Sequence, residues 1–84
     1  MTEEERDDLK RKLVIRKRQK SKLAAAVLRY ENIIEELLSQ LEKYPEENEL
    51  TEELEDTRQK YEAKKAKHQN VSNAVSGIEW LLEE

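Results

Sequence analysis

This chain of 84 residues has no cysteine, no phenylalanine, one glycine, one proline, one histidine and one tryptophan. Each shortage removes a class of structure. Without cysteine there is no disulfide framework and no thiolate metal site, and a lone histidine cannot build a zinc site of the usual kind. One glycine and one proline leave almost no turn material. Loop-rich folds, which need Gly, Pro and Asn at their corners, are therefore excluded. The longest purely apolar run, Leu23 to Leu28, is far too short to span a bilayer. The acidic start, Thr2 followed by Glu3, Glu4 and Glu5, is unlike a secretory leader, which is basic and then apolar. A soluble, intracellular, cytoplasmic protein with no membrane association is expected.

What the chain does have is charge and periodicity. Charged residues make up 43% and hydrophobic ones 36%. Such charge alone reads as disorder, but the apolar residues recur in alternating steps of three and four. One seam runs Leu9, Leu13, Arg16, Lys20, Leu23, Val27, Tyr30, Ile34, Leu37, Leu41, Tyr44. The other runs Leu50, Leu54, Thr57, Tyr61, Lys64, His68, Val71, Val75, Ile78, Leu82. This is the a/d pattern of packed long helices. The fold class is all-α: one domain over residues 1–84, an antiparallel two-helix coiled-coil hairpin.

Thr2 and Glu5 form a capping box for the first helix, expected over residues 3–43. Its end is set by Tyr44 before Pro45, because the residue preceding proline is pushed out of the α region. The second helix can open early, with Pro45 at its first position and Glu46 and Glu47 behind it, or at Thr51 as N-cap; Thr51 is preferred, which gives a loop over 44–50 and a helix over 51–82. Folding about that loop pairs positions whose numbers sum to about 94 or 95, and residues 1–8 overhang the end of the second helix. Gly77 sits inside that helix. Glu83 and Glu84 end it with the wrong sign for its dipole.

A lone two-helix hairpin has little interior, and domains this small are marginal without a staple or a partner. Ala24, Ala26, Ile33, Leu38, Ala74 and Leu81 widen the apolar stripe at flanking positions, which suits a four-helix core. A homodimer forming a four-helix bundle is expected, with self-association through Ala26, Tyr30, Ile33, Ile34, Leu37, Leu38 and Leu41. Val14, Ile15 and Trp80 lie further round. They read either as an apolar partner contact or as a cover in which Trp80 shields Val14 or Ile15.

Charge falls in blocks. Residues 9–30 hold nine bases and no acid, residues 31–56 hold eleven acids and one base, and residues 57–68 hold five bases and one acid. The densest basic run is Lys10, Arg11, Lys12, Arg16, Lys17, Arg18, Lys20 and Lys22. Its expected partner is an acidic protein surface, such as the loop end of a second copy around Glu46 to Glu55. Opposite charge blocks favour a head-to-tail arrangement. Arg16 and Lys20 interrupt the seam, and such side chains snorkel past a helix edge with their stems buried. His68 reads as a packing residue.

No catalytic constellation, cofactor signature or metal-ligand spacing is present. The chain is expected to be non-enzymatic: a protein–protein interaction module (adaptor, scaffold or small inhibitor) acting through a self-associating hairpin. The alternative is a nucleic-acid-binding hairpin using the basic part of helix 1, although no aromatic residue lies within that block to stack on a base.

Overall fold

The computed structural model describes residues 1–83 and holds two helices, α1 (Glu3–Lys43) and α2 (Asn48–Glu83). They fold back on each other as a rod of 63 × 15 × 14 Å. Glu84, the last member of the acidic C-terminal pair, lies outside the described residues.

Thr2 opens α1 from an extended backbone, and its Oγ1 accepts from the Glu5 N–H at 3.2 Å. This satisfies one of the amides that a helix start leaves unpartnered. At the other end Tyr44 leaves the α region (φ −130°, ψ 67°), as a residue before proline must, and its N–H still donates to the Gln40 carbonyl at 2.9 Å.

The connection is shorter than the sequence suggests. It comprises residues 44–47 rather than 44–50, and α2 begins at Asn48. Glu47 N–H donates to the Tyr44 carbonyl at 3.2 Å, closing a turn over Pro45. Thr51 is already inside the first helical turn. Its N–H and hydroxyl both reach the Glu47 carbonyl, at 3.4 and 3.5 Å. The hydroxyl thus acts as a donor and not as a cap acceptor.

The far end of α2 has no basic residue in its last turn. Arg6, from the overhanging start of α1, supplies one across the hairpin, with Nη2 donating to the Leu82 carbonyl at 2.6 Å. A guanidinium on a terminal carbonyl is favourable for both hydrogen bonding and the helix dipole. It offsets the acidic C-terminus noted in the sequence.

The seams hold as read. All ten seam positions of α2 are buried or half-buried, and on α1 only Arg16 and Tyr44 are exposed. Residues whose numbers sum to 94 sit together, as Leu23 does with Val71 and Tyr30 with Lys64. Yet the fully buried set is small: Leu37 at 4% exposure, Val75 at 3%, and Leu54 and Thr57 at 7%. The Thr57 hydroxyl is satisfied by donating to the Glu53 carbonyl at 2.8 Å. Of the residues that widen the stripe, Ala26 and Ala74 are half-buried, whereas Ala24, Ile33, Leu38 and Leu81 are exposed. No helix among the described residues is long and apolar enough to cross a membrane.

Candidate functional site

Four seam positions in the terminal half and the middle of the hairpin carry Arg16, Lys20, Lys64 and His68 in place of apolar side chains. Arg16 leaves the seam altogether, and its Nη1 donates to Gln19 Oε1 at 3.0 Å. Lys20, Lys64 and His68 stay half-buried. Long polar side chains do not interdigitate as leucines do, and hollows lie along this stretch of the seam.

Three hollows lie in line along one face. The first is lined by Lys12, Ile15, Arg16, Gln19, Ala74 and Ile78. The second, of about 440 Å³, is lined by Arg16, Gln19, Lys22 and Leu23 from α1 and by Lys64, Lys67, Asn70 and Val71 from α2. The third is lined by Ala26, Arg29, Tyr30, Ile33 and Lys64. Arg16 and Gln19 are common to the first two, and Lys64 to the last two, so the hollows form one groove. From Lys12 to Ile33 it runs about 30 Å at 1.5 Å per residue. Its floor is apolar, its walls carry six bases, and no acid lines it.

Little of that charge is neutralised within the chain. Among the described residues the salt bridges are Lys12 with Asp8 and Lys60 with Asp56, each at 3.1 Å and each between neighbours on one helix. The Asp56 hydrogen bond and charge push the Lys60 ammonium above its ordinary pKa. Arg16, Lys22, Arg29, Lys64 and Lys67 have no acidic partner among the described residues. Closely set like charges repel, and an acidic ligand relieves that repulsion.

Of the eight bases singled out in the sequence, Lys12, Arg16 and Lys22 line the groove. Lys10, Arg11, Lys17 and Arg18 are exposed and line none of the hollows, and Lys20 stays on the seam. The groove also recruits Arg29, Lys64 and Lys67, which the run in helix 1 did not include. The signal for the lysines was present: residues 57–68 form a second basic block, and the sum of 94 places Lys64 and Lys67 beside Tyr30 and Val27.

The apolar trio is exposed throughout. Ile15 lines the first hollow, whereas Val14 and Trp80 line none. Exposures of 51% for Val14, 55% for Ile15 and 62% for Trp80 show that Trp80 covers neither. The self-association set divides as well. Leu37 is buried in the hairpin's own seam, with Ile34 and Leu41 half-buried on the same seam. Ala26, Tyr30 and Ile33 line the third hollow, and Leu38 is exposed on the other side of the α1 seam.

Away from the groove, Tyr61 Oη donates to Glu31 Oε1 at 3.0 Å, and the Lys65 ammonium lies 5.6 Å from the Tyr61 ring centre. The bond to Glu31 holds the Tyr61 phenol above its ordinary pKa. No group of three or more His, Asp or Glu among the described residues is arranged to hold a metal ion. No family model, curated protein or solved structure matches this chain.

Proposed function

We propose that the chain is a non-enzymatic protein–protein interaction module, a helical hairpin that self-associates as a homodimer and docks on acidic protein surface. One observation carries this reading. Among the described residues only three apolar side chains are buried, while nine large ones, Ile33, Leu38 and Trp80 among them, stay exposed. A domain so poor in core is marginal by itself, and surplus apolar surface of this kind marks contact sites. The unneutralised basic groove supports an acidic partner. A cytoplasmic setting belongs to the same proposal, since a chain that uses no cysteine draws no stability from an oxidising compartment.

Sedimentation equilibrium of the whole chain at micromolar concentration tests the reading. A dimer whose dissociation coincides with loss of helical signal is expected. A stable, folded monomer would refute self-association.

A further inference from the structure

We infer that the basic groove is the docking surface for the acidic, loop-proximal half of a second copy, laid antiparallel across the same face about a two-fold axis near Ile33. This rests on the self-association proposed above and specifies which surface is used, in what direction and in what register.

The face itself changes sign along its length. A heptad step returns a residue to the same side of its helix. From the groove residues, steps of seven toward the loop lead from Arg29 to Glu36 and then Lys43, from Lys67 through Lys60 to Glu53, and from Asn70 through Ala63 to Asp56 and Glu49, four acids against two bases. The terminal half of the face is therefore basic and the loop half predominantly acidic. Like ends repel and opposite ends attract, so two copies face to face align antiparallel.

Register follows from position along the rod. With opposite residues summing to 94, Lys64 lies level with Tyr30, Lys67 with Val27, Asp56 with Leu38 and Glu53 with Leu41. A two-fold axis at Ile33 then sets Lys64 and Arg29 of one copy against Glu36 and Asp56 of the other. It also sets Lys67 against Asp56 and Glu53, and Lys22 level with Glu49 but beside Lys43 of the other copy. Ile33 lines the groove's loop-side end and is 40% exposed. On the axis it meets its own copy and is covered. The overlap runs about 30 Å along a rod 15 Å wide. It buries on the order of 1,000 Å² in total, the lower bound for a specific interface. A nucleic-acid backbone would suit the cations but would leave Ile33 uncovered and face repulsion from the acids on the same surface.

The test has two arms. The first uses single cysteines, unambiguous because the natural chain has none. Ile33→Cys should be linked into a covalent dimer by a short bis-maleimide, and Leu38→Cys, on the other side of the α1 seam, should not. The second uses charge reversal. Lys22→Glu/Lys64→Glu/Lys67→Glu and Glu36→Lys/Glu49→Lys/Glu53→Lys should each weaken dimerisation at low salt, on the order of tenfold or more. Mixing the two should restore it as a heterodimer. The cysteine arm changes no charge, so it stays decisive if a reversed variant does not fold.

A wild-type chain that sediments as a monomer overturns both self-association and this inference. A wild-type dimer that cross-links through Leu38→Cys, or shrugs off both charge reversals, overturns the inference alone. A labelled oligonucleotide that binds with steep salt dependence and is lost on reversing Lys22, Lys64 and Lys67, with dimerisation unchanged, makes the groove a nucleic-acid site instead.

Discussion

Near the connection the two helices close on each other, with Leu37, Leu54 and Thr57 buried and Tyr61 tied across to Glu31. Toward the chain ends Val75 alone is buried, and the seam opens into a groove walled by bases. Both halves share one period and one register. They differ in a few seam residues, since Arg16, Lys20, Lys64 and His68 stand where the other half has mostly apolar groups. Helical periodicity alone thus does not decide how tightly a seam is buried. The side chains at a and d do, because long cations keep their heads in water and hold the helices from interdigitating.

The sharpest way to break this contrast is a buried charge in each half. Leu37→Asp places an unpaired carboxylate in the closed half, at a cost of several kcal/mol, a large share of the stability of so small a domain. Circular dichroism should show the hairpin largely unfolded at 25 °C. Leu13→Asp, at a half-buried site in the open half, should lower the melting temperature by clearly less. Equal effects would mean that the two halves are packed alike.

Repairing the open half is the converse. Lys64→Leu restores an apolar seam residue between Tyr30 and Val71 and should stabilise the monomer by about 1–2 kcal/mol, raising its melting temperature. No gain would mean that the groove is not a packing deficit.

Gly77→Ala also acts on the terminal half, through the backbone. A Cβ at Gly77 meets nothing within 4 Å. The substitution should therefore recover most of the helix-propensity penalty, a little under ~1 kcal/mol, read as a higher urea midpoint with unchanged slope.

The smallest expected effect is in the closed half. Tyr61→Phe removes the hydrogen bond to Glu31. Because that bond raises the folded-state phenol above its ordinary value of 10.0, its contribution is fully present below pH 10 and is lost as pH rises through the raised value. The stability difference between wild type and Tyr61→Phe should shrink above pH 10. A difference that stays constant there would show that the bond to Glu31 is not what the substitution removes.

Much of this was legible from residue order. Thr2 as N-cap, the end of α1 before Tyr44-Pro45, and the pairing sum follow from local chemistry and a continuous 3–4 repeat. The start of α2 was legible only as two alternatives. Pro45 with Glu46 and Glu47 signals an early start and Thr51 is a good N-cap by type, but residue order does not say that a turn closed by Glu47 N–H on the Tyr44 carbonyl places the first helical residue between them, at Asn48. The Arg6 bond to Leu82 escaped for another reason. It joins residues 76 apart through a flexible side chain whose direction no pattern encodes. The site was half visible, since the run Lys10 to Lys22 reads as one block although its members point all around α1.

By itself the sequence determined a helical hairpin, its register, the identity of its seam residues and the segregation of charge along it. All of these depend on a repeat that each helix obeys alone. Only the tertiary structure decided which bases converge. Arg16, Lys22 and Arg29 face Lys64 and Lys67 because two helices at one register bring those sides together, and the hollows exist because side chains from both fail to fill the space between them. Convergence and void are properties of a pair of surfaces, which no single helix's periodicity contains.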